Sequence, residues 1–400
     1  MNCNEIIAEE KDVIFNTYAR YPICISHGAG SRLFSFDGKK YLDLLAGIAV
    51  CGLGHANEEI KQAISNQASK LIHVSNLFYT KEQVELAKKL VATTDHLKKV
   101  FFCNSGAEAN EAAIKLARRY MQKIKNQERY EIITLEESFH GRTYATMSAT
   151  GQERIKDGFS PLVPGFLHAK INDIEDVKRK VSKNTAAIMI EVVQGEGGVK
   201  PLDKKFVQDL YKLCLEEDII FIVDEIQTGM GRTGKWWAFQ HYGVKPHIIT
   251  SAKALANGLP IGCMMATAEI SKGFSLGSHA TTFGGGPLVC AAALKVLEII
   301  KRDNLIENAR KIGNFALSLL NKLKEENSHL IKEVRGLGLM IGIEIVDDEK
   351  AKKIFNALLD NGIIVNLTQQ KILRLLPPLI ITQQEISYFV DTLAKILKKI

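Results

Sequence analysis

The sequence predicts an α/β fold: a mostly parallel central sheet covered by helices, with a smaller α+β domain attached. Three observations predict it. Short, wholly apolar runs of strand length alternate with helical patterns through the middle of the chain, and strands apolar on both faces belong to a buried parallel sheet. The C-terminal third changes character, with long helical stretches around one strand-like run. The length, 400 residues, is more than one core ordinarily serves and suits two domains.

Taken in order, residues 1–54 carry a turn signal at Asp37-Gly38 and are expected to join the smaller domain. Residues 55–290 form the larger domain, and residues 291–400 the C-terminal smaller domain with a linking helix. In residues 81–93, Val84, Ala87, Leu90 and Val91 share one helical face. The expected strands are KKVFFCN (98–104), EIITL (131–135), AAIMIEVV (186–193), DIIFIVDE (218–225) and HIIT (247–250). Further helices are expected after Gly106 and after Pro201. Beyond TTFGGGP (281–287) a helical pattern runs to about residue 325, and RGLGLMIGIEIV (335–346) reads as one strand. In the final segment Thr382 and Glu385 form a capping box. Ile386, Phe389, Val390, Leu393, Ile396 and Leu397 make an apolar stripe behind it.

Composition narrows the function classes. Apolar residues at 46% and charged residues at 24% are ordinary for a soluble globular chain. The formal net charge of +7 comes from lysines spread over helical segments, which reads as solvated helix faces, with no nucleic-acid footprint expected. No run of eighteen uncharged apolar residues occurs, so no membrane span is expected, and MNCNEIIAEEKDVIF does not read as a signal peptide. Seven cysteines, odd in number and without C-x-x-C spacing, point to a reducing cytoplasm, with most of them buried as small apolar fillers and no metal site expected.

The chemistry starts at IIFIVDEIQTGMGRTG (219–234), where an apolar strand runs straight into Asp224 and Glu225. A carboxylate buried there costs several kcal/mol unless a partner offsets it, ~3–5 kcal/mol if the partner is missing. Ligand sites in open α/β sheets lie at the carboxyl ends of strands. Asp224, Glu191, Asn104 and the residues after Thr250 all fall there. Taken alone, Asp224 reads first as a helix cap or turn acid. In TSAKALANGLPIG, however, Lys253 follows a strand at the same edge, where desolvation lowers its pKa and frees its amine as a nucleophile. A buried acid and a poised lysine together are what pyridoxal 5'-phosphate needs, since the acid keeps the pyridine nitrogen protonated. Two segments offer a phosphate cradle: Ser105-Gly106-Ala107 at a helix start, and TTFGGG (281–286) with Thr281 and Thr282. Phe139 in SFHGRT offers a stacking face, equally readable as core. Arg142 and Arg374 offer guanidinium forks for carboxylates, and Arg374 stands in an otherwise apolar run. No G-x-x-x-x-G-K-[ST] loop is present, which weighs against a nucleotide-binding protein.

The blocks DEIQTGMGRTGKWWAFQHYGV and AKALANGLPIG, with NSGAEANEAAIKLARRY, SFHGRTYATMSATG, QGEGGV and TTFGGGP in the same order, resemble the class III pyridoxal-phosphate aminotransferases over essentially the whole chain. The resemblance implies a fold-type-I homodimer with active sites shared at the subunit interface. It implies that Lys253 carries the cofactor and shuttles a proton, that Asp224 pairs with the ring nitrogen, and that Gln227 bonds the ring hydroxyl. Phe139 would stack on the ring. Ser105, Gly106 and Ala107 would hold the phosphate, and Thr282 would reach the phosphate of the neighbouring subunit. HVSNLFYT (73–80) and LRLLPPL resemble the members of the family that use N-acetylornithine and 2-oxoglutarate. Arg142 and Thr281 would then contact acetylornithine, and Arg374 would grip the α-carboxylate of glutamate, with Glu196 neutralising it for the other substrate. Ornithine, succinylornithine, succinyldiaminopimelate and 4-aminobutyrate are alternative substrates, and an aminomutase is a more distant one. The chain departs from the family at Gly286, where asparagine is usual, and at Val192, where proline is usual.

Overall fold

The computed structural model describes residues 2–400. After a helix at Cys3–Val13, the N-terminal segment folds into an antiparallel meander of β1 (Ile25–Ala29), β2 (Arg32–Ser35) and β3 (Lys40–Asp43). The expected Asp37-Gly38 turn joins the last two, with Gly38 at φ +79°, where glycine carries no Cβ penalty. Cys3 and Cys24 correct the cysteine reading. Separated by 21 residues, they are disulfide-bonded across the helix and the start of the meander, with Cα atoms 5.5 Å apart. Cys103, Cys214, Cys263 and Cys290 are buried thiols, as expected of apolar fillers.

The central sheet is built from β4 (Leu97–Cys103), β5 (Glu131–Leu135), β6 (Phe166–Ala169) and β7 (Thr185–Ile190). A short ribbon, β8 (Val193–Gln194) and β9 (Lys200–Pro201), interrupts before β10 (Ile220–Asp224), β11 (Ile248–Ser251) and β12 (Gly262–Thr267) complete it. The spatial order is β4-β12-β11-β10-β7-β5-β6. Only β12 runs against its neighbours; the pairs β11–β10, β10–β7, β7–β5 and β5–β6 are parallel. Its strands are almost wholly buried at the centre, so the apolar runs hold no face for water. The stretch 186–193, read as one strand, is divided: Glu191 and Val192 separate β7 from β8.

In the C-terminal third, the single strand expected at 335–346 is a hairpin instead. β13 (Ile331–Leu337) and β14 (Met340–Ile345) reverse at Gly338, whose φ of +57° makes the turn. The long helical pattern is two helices, Pro287–Arg302 and Leu305–Glu326, broken at Asn304 in the left-handed region. Then β15 (Ile363–Ile364) pairs in parallel with β3, so the chain's two ends share one small sheet. β16 (Asn366–Thr368) and β17 (Ile372–Leu375) extend the β13–β14 hairpin into a four-stranded sheet. The last helix, Gln383–Leu397, starts at the expected Thr382/Glu385 capping box and buries its apolar stripe. No helix among the described residues is long and apolar enough to cross a membrane.

One ion pair beside this small sheet has a pH signature. His55 Nε2 lies 2.7 Å from Asp43 Oδ2, and Asp43 Oδ1 also receives the N–H groups of Leu45 and Ala46. The bond to Asp43 raises the His55 pKa to about 9 against the desolvation that lowers it. Because the folded value is raised, the stabilisation is fully present below the unfolded value of about 6.5 and disappears as pH rises to about 9. His55 is partly exposed, so screening limits the effect to about 1–2 kcal/mol. Unfolding free energies from denaturant titrations at pH 6 and pH 9 are expected to differ by that amount, and His55→Gln is expected to remove the difference.

Candidate active site

The carboxyl ends of β4, β5, β7, β10 and β11 face one cavity of about 420 Å³. Asp224 closes β10 and is 4% exposed. Its Oδ2 accepts from His140 Nδ1 at 2.9 Å and from Asn110 Nδ2 at 2.8 Å, and its Oδ1 accepts from the Ile226 N–H at 3.0 Å. Two lone pairs on each carboxylate oxygen leave Oδ1 with one acceptor direction unfilled. The chain thus supplies three donors to the buried acid besides any cofactor.

Asn110 carries no signal of its own in the sequence, and His140, an aromatic beside Phe139 in SFHGRT, none of a bond to Asp224. His140 follows β5; its ring donates Nδ1–H to the carboxylate, and its buried Nε2 has no partner among the described residues. Asn110 sits in the helix Gly106–Lys123, and its Nδ2 also donates to His140 O at 2.7 Å. Its neighbours on the sheet-facing side, Ala109, Ala112 and Ala113, are fully buried. In the sequence Asn110 is one amide on a face of alanines. Glu191, at the end of β7, accepts from the N–H groups of Phe139 at 2.9 Å and Gly195 at 3.2 Å, which fixes the loop carrying Phe139. Burial pushes its carboxyl up to about 7, Asp224 adds to the rise and His140 opposes it.

Lys253 lines the same cavity as Asp224. It begins a short turn after β11 in a left-handed conformation, φ +45°. Its amine has no hydrogen bond among the described residues, and burial holds its pKa below the ordinary lysine value. Glu196 opposes that shift and Arg374 reinforces it. Ser105, Gly106, Ala107, Phe139, Arg142, Glu196 and Gln227 also line the cavity. Ser105 caps the helix Gly106–Lys123 by accepting from the Glu108 N–H at 3.1 Å, while the N–H groups of Gly106 and Ala107 are left without a partner among the described residues. A Cβ on Gly106 would meet Ile226, and one on Gly195 would sit 2.2 Å from Gln227 Oε1, so both glycines are needed for close approach. Arg142 stands with its guanidinium carbon 5.8 Å from the centre of the Phe139 ring. Arg374, 1% exposed, touches the cavity through Glu196 at 2.6 Å and Gln227 at 3.4 Å. Burial raises the Glu196 pKa, but Arg374 and Lys253 together hold it below the usual value.

Thr281 and Thr282 do not reach this cavity within one chain. Thr281 Oγ1 accepts from Asn104 Nδ2 at 3.2 Å and Thr282 is exposed, both beside an open surface pocket shared with Glu108, Glu111, His279 and Phe283. The two departures from the family are structurally mild. Gly286 starts the helix Pro287–Arg302 without the side-chain cap an asparagine would give, and Val192 is fully buried.

A carboxylate with one free acceptor direction, an unengaged amine and two unpaired N–H groups at a helix start fit the ring nitrogen, aldehyde and phosphate of pyridoxal 5'-phosphate. The aminotransferase class-III family model matches residues 14–397. The chain belongs to this family. Class-III aminotransferases use pyridoxal 5'-phosphate, and the cofactor here is the same. The chain is 46% identical over 395 residues to the acetylornithine aminotransferase of Methanocaldococcus jannaschii, covering 98% of this chain and 97% of that one. Among solved structures, the ornithine aminotransferase of Toxoplasma gondii superposes with a TM-score of 0.95 at 29% identity, covering 100% of this chain and 96% of that one. The acetylornithine aminotransferase of Elizabethkingia anophelis gives 0.89 at 33% identity over the full length of both. The α/β fold is shared with these aminotransferases from end to end.

Proposed function

We propose that this aminotransferase moves the terminal amine of N-acetyl-L-ornithine to 2-oxoglutarate, giving N-acetyl-L-glutamate 5-semialdehyde and L-glutamate, a step of arginine biosynthesis. The observation that carries it is the Glu196–Arg374 pair, 2.6 Å apart at the cavity's end. N-Acetylornithine reacts at a terminal CH₂ and brings no carboxylate to that end, so Glu196 stays on Arg374. 2-Oxoglutarate reacts beside its α-carboxylate and needs the guanidinium. The full-length relatives that carry the acetylornithine name support the reading.

When bound, pyridoxal 5'-phosphate supplies an aldehyde for the amine and a ring that takes up electrons from the substrate carbon. The chain's residues do the rest. Lys253 holds the cofactor and, once displaced, moves the proton between the substrate's terminal carbon and the cofactor carbon. Asp224, fixed by His140 and Asn110, keeps the ring nitrogen protonated. Phe139 covers the ring, Gln227 bonds its hydroxyl, and Ser105, Gly106 and Ala107 receive the phosphate. Arg142 takes the acetylated end of the substrate, and a second copy of the chain brings Thr281 to the same end. A second copy of the chain places Thr282 against the neighbouring phosphate. Leu77 (86% exposed) beside Thr281, and Phe78 (63%) and Phe283 (64%) beside Thr282, are exposed apolar side chains and support the homodimer.

Free ornithine is the second reading, favoured by the similarity to the Toxoplasma structure. Amine-transfer kinetics with acetylornithine, ornithine, succinylornithine and 4-aminobutyrate decide between them. The highest kcat/KM is expected for acetylornithine, and a tenfold preference for free ornithine, about 1.4 kcal/mol, overturns the proposal.

A further inference from the structure

Arg374 has a second partner that the substrate argument does not use. Asn366 on β16 lies directly across from Arg374 on β17 in the antiparallel register. Its Oδ1 accepts from Arg374 Nε at 3.1 Å and Nη2 at 2.7 Å. These two donors form the side edge of the guanidinium, the edge a carboxylate grips with two parallel bonds. Oδ1 must face the arginine to accept from both, which turns Nδ2 away from it. At the residue before, Val365 O accepts from the Tyr21 hydroxyl at 3.1 Å. The strand register thus holds the amide opposite Arg374, and a tyrosine of the N-terminal segment ties down its neighbour.

We propose that Asn366 is a specificity-determining positioning residue: it occupies the side edge of Arg374 without adding charge, so that one carboxylate at a time, Glu196 or that of a substrate, balances the guanidinium at its Nη1–Nη2 end. This rests on the proposed amine transfer and deepens it. A buried guanidinium needs one negative partner, and a neutral amide supplies hydrogen bonds while leaving that need unmet. A carboxylate at position 366 would meet it permanently, and the arginine would lose its call on the substrate. An apolar residue there would free the side edge and let the fork turn.

The test is calorimetric titration of the holoenzyme with glutarate, an unreactive five-carbon dicarboxylate, in wild type, Asn366→Asp and Asn366→Ala. Affinity is expected to fall about 30-fold in the aspartate variant and about 10-fold in the alanine variant, the sizes expected for losing a charge-assisted bond and for losing orientation. Single-turnover rates with 2-oxoglutarate are expected to fall far more than those with acetylornithine, during which Glu196 keeps its place. Glutarate binding by Asn366→Asp at wild-type strength, absence of glutarate binding by wild type, or equal losses in both half-reactions overturns the assignment of Asn366. Wild type that binds glutarate but transfers no amine to 2-oxoglutarate overturns the proposed function instead.

Discussion

Lys253→Ala is expected to lower steady-state amine transfer by about 10⁴-fold or more, because in the proposed mechanism one side chain both holds the cofactor covalently and moves the proton. The structure gives reasons to expect this from Lys253 rather than another lysine. It is placed by β11 at the same sheet edge as Asp224 and lines the same cavity. Its amine is unengaged among the described residues and is held below the ordinary lysine pKa by burial, so a neutral, nucleophilic fraction persists at lower pH than for a surface lysine. Borohydride reduction and peptide mapping of the wild type is expected to leave a cofactor adduct on Lys253. The alanine variant is expected to bind cofactor without such an adduct, and added methylamine is expected to restore part of the proton-transfer rate. Folding is checked by circular dichroism, since Lys253→Ala removes a side chain from a buried site. Steady-state turnover near wild type in the variant, or an adduct mapped to a different lysine, would remove Lys253 from its role.

The pairing of Asp224 with Lys253 was legible because both follow apolar runs long enough to be buried strands, and such strands point their carboxyl ends at one rim. What supports Asp224 was not. Asn110 is one amide in a stretch of alanines, and only the packing of its helix on the sheet shows that this face looks at the carboxylate. His140 stood beside Phe139 in the sequence, yet nothing in SFHGRT says which of the two turns inward to the acid. Strands β6 and β12 escaped for a different reason. FLHA is four residues long, and GCMMAT has little of the β-branched content that marks a strand. The hairpin β13–β14 was read as one strand because its turn is made by Gly338 within an unbroken apolar run, with no polar residue to announce it. Thr281 and Thr282 were grouped with the site by resemblance. Within one chain they stand outside the cavity, and it is the proposed homodimer that would bring Thr282 to a phosphate.

Asp224→Asn is the second large effect, and the hydrogen-bond pattern around the carboxylate says why a nearly isosteric change should be so costly. Three donors face Asp224: His140 Nδ1 and Asn110 Nδ2 at Oδ2, and the Ile226 N–H at Oδ1. An amide has one accepting oxygen and one donating NH₂ group. With its NH₂ at the Oδ2 position it meets two donors; with its NH₂ at the Oδ1 position it meets one. The second arrangement costs less, about 1–3 kcal/mol for the buried pair left unsatisfied. It also turns the NH₂ toward the ring nitrogen, which must then accept a hydrogen bond and so loses its proton. The ring becomes a poor electron sink, and the rate of proton removal from the substrate carbon is expected to fall about 10³-fold. The covalent attachment at Lys253 does not depend on that proton, so spectrophotometric titration is expected to show cofactor still captured. Stopped-flow absorbance with acetylornithine then separates the two: capture retained with the half-reaction slowed supports the role of Asp224, whereas a half-reaction at the wild-type rate means that the ring nitrogen draws its proton from a different group, and the buried acid is there only to hold His140 and Asn110 in place.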